Sequence, residues 1–219
     1  MSDLPTAPSG AILQTVGRYY TERLHEFGAT PRGVDWNSAA SQVLRFDRLL
    51  QIVEAPPAEA PLLEASLLDV GCGYGALLDT LRERGSTLHY RGFDLSAEMI
   101  AAAEARHARD GQCAFTTDPA ALRPATYAVA SGLFNVKLQH GDAEWRDYVL
   151  AMLASLDAAS ERGFAFNMLS TYSDLDRRRD TLYYADPSEM FDLCKRRYSA
   201  RVALLHDYPL YEFTVLVRK

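Results

Sequence analysis

The chain has 219 residues, a formal net charge of −6 at pH 7, 48% hydrophobic residues and 24% charged residues. These fractions are typical of folded globular proteins and exclude a disordered or fibrous chain, and the length predicts one sizeable domain with an appendage. The acidic balance lacks the electrostatic footprint of a nucleic-acid-binding protein, so we expect no nucleic-acid partner.

The N-terminal region is predicted to be helical. Apolar residues recur at helical spacing from Ala11 to Phe27, which predicts an amphipathic helix. A second helix, capped by Asn37 or Ser38, is predicted to run to about Glu54. The proline-rich stretch 55–61 predicts a stiff linker, because proline can continue neither a helix nor a central strand.

After this linker the pattern alternates between strand and helix. Strands are predicted at 67–70, 88–93, 112–116, 126–131 and 163–169, with helices at 76–84, 97–109 and 143–156. The alternation is typical of a three-layer, doubly wound α/β fold around a mostly parallel sheet. We therefore divide the chain into a helical N-terminal extension and linker, 1–61, and a sheet-containing domain, 62–219.

The C-terminal part of the chain follows a different pattern. Asp186 followed by Pro187 is a strong start signal for a helix, which is predicted to end at about Arg197. The β-rich runs 200–206 and 211–218 are too close together for a helical crossover, so they predict an antiparallel hairpin at one edge of the sheet.

The cysteines and the apolar runs indicate the compartment. Cys72, Cys113 and Cys194 are widely separated, form no CxxC pair and fit no zinc spacing, so we expect reduced thiols and no metal site. The first ten residues lack the basic and apolar segments of a signal peptide, and no run approaches the roughly 18 apolar residues of a membrane span. These features predict a cytoplasmic protein.

A glycine-rich stretch follows the first predicted strand. Residues 67–76 read Leu-Leu-Asp-Val-Gly-Cys-Gly-Tyr-Gly-Ala, so a buried strand ends in three glycines before a helix begins. Gly71, Gly73 and Gly75 can adopt positive φ angles and let a ligand lie against the main chain. The N–H groups at the start of the following helix point toward that ligand. The stretch therefore predicts a cofactor site, because ligands of doubly wound sheets bind beyond the carboxyl ends of the strands.

Two acidic residues bear on which cofactor binds. Asp94 ends the second predicted strand, 23 residues after Gly71, where it can accept hydrogen bonds from the ribose hydroxyls of an adenosine. Nicotinamide sites place an acid similarly, and the glycines also satisfy a loose dinucleotide pattern. Asp69, two residues before the first glycine, favours a cationic ligand instead, whereas a dinucleotide loop must accommodate a pyrophosphate dianion. The closing hairpin is also unusual for nicotinamide-binding sheets.

The combination resembles the class I S-adenosylmethionine-dependent methyltransferase family. The similarity covers residues 62–219 and rests on the glycine loop, on Gly92-Phe-Asp-Leu-Ser96 with Met99, on the strand end at Asp118, on 127–132 and on the closing hairpin. The family implies a seven-stranded sheet of order 3-2-1-4-5-7-6 with the last-numbered strand antiparallel. It also implies that 62–219 is the domain that binds S-adenosylmethionine.

The resemblance assigns the cofactor residues by position. It implies that Asp69 and the glycine loop lie near the methionine moiety, Asp94 on the ribose, Leu95 and Met99 against the adenine, and Asp118 near the adenine amino group. The predicted cofactor set is Asp69, Gly71, Cys72, Gly73, Gly75, Asp94, Leu95, Met99, Asp118 and Ser131.

The methyl acceptor is expected at the end of the fourth predicted strand. There Asn135 could orient the acceptor, and Phe134 could form a pocket wall or belong to the core. The resemblance implies that the N-terminal extension and linker, 1–61, form a lid, whose candidate aromatics are Tyr19, Tyr20 and Trp36, although Tyr19 and Tyr20 could equally pack the two helices together. The segment after the fifth strand would add Tyr172. An acceptor hydroxyl needs a general base more than a neutral amine does. No base is assigned, and the candidate catalytic residues are Asn135, His140 and His206.

The sequence therefore predicts methyl transfer from S-adenosylmethionine to an N or O atom of a small molecule. The family's DNA and glutamine methylases carry Asn/Asp-Pro-Pro-Tyr at the fourth strand, and this chain does not. Two alternatives stay open at this point: a nicotinamide-dependent oxidoreductase, and a non-catalytic methyltransferase-like binding subunit. The chain could also form a homodimer.

Overall fold

The computed structural model describes residues 10–53, 65–121 and 123–219. The helices are α1 Gly10–Phe27, α2 Ala39–Leu50, α3 Ala76–Glu83, α4 Ala97–Arg106, α5 Asp142–Ala158 and α6 Pro187–Arg197. The strands are β1 Ser66–Val70, β2 His89–Phe93, β3 Cys113–Thr116, β4 Ala125–Ala130, β5 Ser160–Ser170, β6 Tyr184–Ala185, β7 Arg201–Leu205 and β8 Glu212–Arg218.

The helix starts follow from local capping chemistry. Ser38, one of the two predicted caps of α2, accepts a hydrogen bond from the Ser41 amide at its N-terminus. Asp186 caps α6 through the amides of Ser188 and Glu189, and Pro187 takes the first helical position. None of the described helices is both long and apolar enough to span a membrane.

The strands form one sheet in the order β3-β2-β1-β4-β5-β8-β7. β8 runs antiparallel to both β5 and β7, and the remaining pairs along this path are parallel. The predicted order and the antiparallel last strand are thus confirmed. The sheet has one additional strand, β6, which pairs with the end of β5 over only two residues. Two residues are too few to show an alternation of apolar and polar positions, so this strand was not predictable from the sequence.

Several predicted boundaries were wrong. β5 begins at Ser160, where it pairs with Ala125 across an irregularity in register, three residues before the predicted start at Gly163. α4 ends at Arg106, before the predicted end at Arg109. α2 ends at Leu50, whereas Glu54, the predicted linker 55–61 and the domain boundary at 61 lie outside the described residues.

The first two helices lie on opposite faces of the sheet. Ile12 of α1 belongs to the same buried cluster as Leu68 of β1. Leu49 of α2 belongs to the cluster that contains Leu67, the preceding residue of β1. Successive strand residues point to opposite faces, so the segment that joins α1 to α2 must pass around the sheet. Its contacts with Gly73 and Gly132 show that it passes over the carboxyl edge.

The connection from β3 to β4 explains why α1 is part of the layered structure. Among its described residues this connection carries only the 3₁₀ turn Pro119–Ala121, so no helix of its own covers the sheet there. Ile12 and Val16 of α1 instead pack into the cluster that contains Val70 and Phe93. α1 therefore supplies the layer that the crossover lacks.

This arrangement predicts a large cost for a cavity under α1. Ile12 is 1% exposed. The substitution Ile12→Ala should lower the free energy of unfolding of the protein by about 2–5 kcal/mol, because apolar burial is lost and a cavity remains. Urea denaturation measures this difference, with Gln14→Ala on the exposed side of the same helix as the matched control. Equal effects of the two substitutions would show that α1 is not integral to the core.

Candidate cofactor and acceptor site

The glycine loop turns on backbone angles that favour glycine. The φ angles of Gly71, Gly73 and Gly75 are 78°, 53° and 78°, in the left-handed region where other residues are strained. A Cβ on Gly73 would lie 3.1 Å from Val34 Cγ1 of the α1–α2 connection, so that connection rests directly on the loop. The amides of Gly71 and Cys72 donate to the Phe93 carbonyl at 2.8 and 3.0 Å and fix the loop against β2.

Asp69 is a buried acid at the end of β1. The Tyr90 hydroxyl donates to its Oδ2 at 2.6 Å. Its Oδ1 is buried and makes no hydrogen bond with any described residue. Burial raises the pKa of Asp69 to about 7, the Tyr90 hydrogen bond opposes that rise, and the nearby charge of Asp94 adds to it. An orphaned carboxylate oxygen of this kind calls for a cationic or hydrogen-donating ligand group.

Asp94 is held in a fixed orientation at the end of β2. Its Oδ2 accepts from the Gly73 amide at 2.9 Å, and its Oδ1 accepts from the Ser96 amide at 2.9 Å. Burial raises its pKa, and the backbone amide donors oppose that rise. The carboxylate thereby joins the glycine loop to the start of α4.

A cavity of about 300 Å³ lies beyond the carboxyl ends of β1, β2 and β4. Val34 and Trp36 of the α1–α2 connection, together with α1, enclose it from above, and we call this cover the roof. The structure brings most of the predicted cofactor and lid residues to this cavity. The predicted residues that line it are Asp69, Gly71, Cys72, Gly73, Asp94, Leu95, Met99, Ser131, Tyr20 and Trp36.

Two predicted cofactor residues do not line the cavity. Gly75 begins α3, and its carbonyl lies 2.9 Å from His107 Nε2. Asp118 is exposed, and its Oδ1 accepts from the Ala120 amide at 2.9 Å. Its neighbour Pro119 lines the cavity instead. The shift follows from the shortness of β3, which ends at Thr116 and leaves Asp118 to cap its own turn.

The predicted acceptor and catalytic residues that follow Ser131 also lie outside the cavity wall. Phe134 is fully buried and packs edge-on against Phe166, so it belongs to the core. Asn135 Oδ1 accepts from the Leu169 amide at 3.0 Å, which ties the end of β4 to β5. His140 Nδ1 lies 3.1 Å from a Glu144 carboxylate oxygen on the helix that follows.

The remaining predicted acceptor residues lie on the outer surface or brace the roof. Tyr172 is 72% exposed, and its ring contacts His206, which is itself exposed. The Tyr19 hydroxyl donates to Asp35 Oδ2 at 2.6 Å, so Tyr19 holds the α1–α2 connection rather than facing the cavity. Arg23 Nε lies 2.8 Å from the other oxygen of Asp35.

The sequence analysis missed several cavity residues. They are Leu13, Val16, Gln42, Tyr74, Leu133, Tyr148 and Met152. Tyr148 is only 3% exposed, yet it lines the cavity. Because Tyr148 lies on α5 among apolar residues, its spacing indicated only a core position. Only the packing of α5 beneath α1 brings it to the site.

The fold and the site together define a Rossmann-like domain with a cavity beyond the carboxyl ends of its strands. Residues 67–157 match the family described as "Methyltransferase domain". Over 158 residues the chain is 57% identical to the protein named "Putative methyltransferase Rv1506c" of Mycobacterium tuberculosis (strain ATCC 25618 / H37Rv), which covers 70% of this chain and 93% of that protein. The chain belongs to the class I S-adenosylmethionine-dependent methyltransferase family, and its cofactor is S-adenosylmethionine.

Solved structures share the fold at low sequence identity. Magnesium protoporphyrin IX methyltransferase (ChlM) from Synechocystis PCC 6803 with bound SAM is 16% identical, with a TM-score of 0.63 over 98% of this chain and 100% of that one. The Burkholderia thailandensis 1,6-didemethyltoxoflavin-N1-methyltransferase, with bound 1,6-didemethyltoxoflavin and S-adenosylhomocysteine, is 19% identical, with a TM-score of 0.63 over 100% and 93%. Family membership decides between the two cofactor interpretations in favour of the sulfonium.

The buried acid Asp69 predicts a pH dependence of stability. Its folded pKa of about 7 lies above the ordinary value of 3.8, so the folded state binds the proton more tightly than the unfolded state does. The free energy of unfolding should therefore fall as the pH rises from about 4 to 7, by up to about 1.4 kcal/mol per pH unit for one proton. Asp69→Asn, which keeps an acceptor for Tyr90, should remove this contribution.

Urea denaturation of both proteins at several pH values between these limits measures that slope. The difference between the two curves isolates Asp69 from the other carboxylates. Parallel curves would contradict the raised pKa.

Proposed function

We propose that the protein transfers the methyl group of S-adenosylmethionine to an N or O atom of a small molecule bound in the roofed cavity. The observation that carries this proposal is the cavity itself, which has a volume of about 300 Å³ and is covered by α1, Val34 and Trp36. A site enclosed in this way suits a compact acceptor better than a protein or a nucleic acid. The net charge of −6 also disfavours nucleic acid.

The residues at the cavity fit the cofactor in charge and shape. Asp69 offers its unpartnered Oδ1 to the ammonium of the methionine moiety, and its charge favours a sulfonium cation. Two backbone amides hold Asp94 in one orientation beside the cavity, which supports its proposed role as the acceptor for ribose hydroxyls. The left-handed glycines leave the main chain open to close approach, and Leu95 and Met99 supply apolar surface for the adenine.

The chemistry needs little from the protein beyond positioning. When bound, the cofactor supplies a methyl group on a sulfonium, which is already a good electrophile. The chain must hold the acceptor in line with that methyl group and exclude water, which the roof can do. Tyr20 and Tyr148 line the cavity, and burial raises the pKa of both hydroxyls. They therefore remain protonated donors that can orient an acceptor atom but are poor bases. This favours a neutral nitrogen over an alcohol.

Similar structures support a small acceptor. The Burkholderia thailandensis enzyme was solved with 1,6-didemethyltoxoflavin, and a further fold neighbour is a phosphoethanolamine N-methyltransferase from Haemonchus contortus, solved with phosphoethanolamine.

The described cysteines Cys72, Cys113 and Cys194 are free thiols, in keeping with the predicted cytoplasmic location. The homodimer stays a prediction.

An isotope-labelled methyl donor tests this function. We expect the label to pass from S-adenosylmethionine into the small-molecule fraction of a cell extract, and not into its protein or nucleic-acid fractions. The carbon chemical shift of the labelled product separates N-methyl from O-methyl. Label in a macromolecular fraction would contradict the small-molecule proposal. Binding of the cofactor with no transfer to any fraction would support a non-catalytic subunit.

Substitution of the acids separates the true ribose contact from its sequence neighbour. Asp94→Ala should weaken binding of S-adenosylhomocysteine by about 1–3 kcal/mol, because a charged hydrogen-bond partner is lost. Asp118→Ala is the matched control and should leave the affinity unchanged, since Asp118 is exposed and does not line the cavity. Isothermal titration calorimetry, with NAD as a second ligand, measures both. The assignment fails if Asp118→Ala has the larger effect or if NAD binds more tightly.

A further inference from the structure

A closed ring of contacts surrounds one side of the roof. The Gly132 amide donates to Asn167 Oδ1 at 2.7 Å, and Asn167 Nδ2 donates to Glu212 Oε2 at 2.7 Å. Arg45 donates to both carboxylate oxygens of Glu212: Nε lies 3.0 Å from Oε1 and 2.9 Å from Oε2, and Nη2 lies 2.6 Å from Oε1. The Arg45 guanidinium lies 4.0 Å from the centre of the Trp36 ring.

The ring closes where Trp36 meets Gly132. A Cβ on Gly132 would lie 2.5 Å from Trp36 Cζ2, so the indole rests on the bare α-carbon of the same glycine whose amide begins the ring. Gly132 has a φ of 72°, a conformation that glycine adopts without strain. Five residues thus join the end of β4, β5, β8, α2 and the roof segment.

The polar members of the ring are deeply buried and do not touch the cavity. Arg45 is 6% exposed, Glu212 1% and Asn167 0%, and none of the three lines the cavity, whereas Trp36 and Gly132 do. Burying an ion pair costs desolvation energy, and apolar residues of similar size often stabilise a fold as well or better. Stability alone is therefore a weak explanation for this ion pair. A need to hold the neighbouring groups in a defined geometry explains why Arg45 donates to both oxygens of Glu212 and why the pair also contacts Asn167 and Trp36.

We infer that Arg45, Asn167 and Glu212 are positioning residues, which hold Trp36 and the Gly132 main chain together as one wall over the bound cofactor. The inference rests on binding of S-adenosylmethionine in this cavity. Trp36 reaches the cavity from the roof and Gly132 reaches it from the strand end where the acceptor is expected. A single ring that fixes both keeps Trp36 in contact with Gly132, and a wall held closed in this way limits the rate at which a bound ligand can leave.

The glycine loop has a separate link to the same helix. The Tyr74 hydroxyl donates to Gln42 Oε1 at 3.1 Å, and Gln42 lies one turn before Arg45 on α2. α2 therefore contacts both sides of the site, the loop through Gln42 and the strand end through the ring. A shift of α2 would move both walls together.

Dissociation of S-adenosylhomocysteine from the immobilised full chain, followed on a biosensor, tests the ring. The double variant R45M/E212Q removes both buried charges together and keeps an acceptor for Asn167. We expect its thermal midpoint to lie closer to that of the wild type than the midpoint of Glu212→Gln alone, which leaves Arg45 without its counter-charge. We also expect the double variant to release the ligand about tenfold faster, the size typical of coupled neighbouring contacts.

Asp110→Asn is the matched control. Asp110 pairs with Arg82 at 2.6 Å and does not line the cavity, so its loss should lower stability without changing the release rate. Emission of Trp36 adds a structural readout, because the chain has two tryptophans and Trp145→Phe leaves Trp36 alone. In that background R45M/E212Q should shift the Trp36 emission and reduce its response to ligand.

The outcomes separate the inference from the proposed function. Faster release from R45M/E212Q but not from Asp110→Asn supports the ring as a positioning device. Release from R45M/E212Q at the wild-type rate, with unchanged Trp36 emission, would overturn it and leave the pair a structural contact. A wild-type chain that binds no S-adenosylhomocysteine would instead overturn the binding site on which the inference rests.

Discussion

The arrangement of the site depends on one constraint, which is that a mostly parallel sheet must be covered on both faces. The crossover from β3 to β4 carries only a 3₁₀ turn among its described residues, so α1 covers that face. α2 covers the other face, so the chain between them must pass around the sheet, and its contacts with Gly73 and Gly132 place it over the carboxyl edge. The roof is thus a consequence of layering. The same segment that completes the fold also encloses the ligand cavity.

Enclosure in turn sets the electrostatics of the site. Asp69 and Asp94 are withdrawn from water at the same edge, and burial raises the pKa of each. Burial therefore disfavours the ionised form of each acid in the free protein. Under the proposed assignment, the ammonium and sulfonium of the ligand would offset this desolvation cost at Asp69, whereas the ribose hydroxyls would donate hydrogen bonds to Asp94. The backbone amides that hold Asp94 keep this charge aimed at the cavity.

Sequence analysis succeeded where a feature is local and failed where it depends on packing. The glycine loop, Asp69 and Asp94 were predictable because strand ends and glycine spacing place them without tertiary information. Asp118 was wrongly predicted to lie at the site, because β3 is short and Asp118 instead accepts a hydrogen bond from the Ala120 amide. Asn135 does not face the cavity, because its side chain accepts a hydrogen bond from the Leu169 amide of β5. Tyr148 carries no sequence signal that distinguishes a cavity residue from a core residue of α5. The Arg45–Glu212 pair joins residues 167 positions apart, and no periodicity signals such a contact.

That separation has a consequence for how the site is assembled during synthesis. β8 is the last described strand to leave the ribosome, and it inserts between β5 and β7. Until it does, Arg45 has no counter-charge and Asn167 has no acceptor, although the glycine loop and both cofactor acids have long been made. Contacts of such sequence separation form late because loop closure must precede them. If the ring positions the roof as proposed, a nascent chain would carry the proposed cofactor residues before it could hold the roof over them, and tight retention of the methyl donor would begin only once β8 is in place.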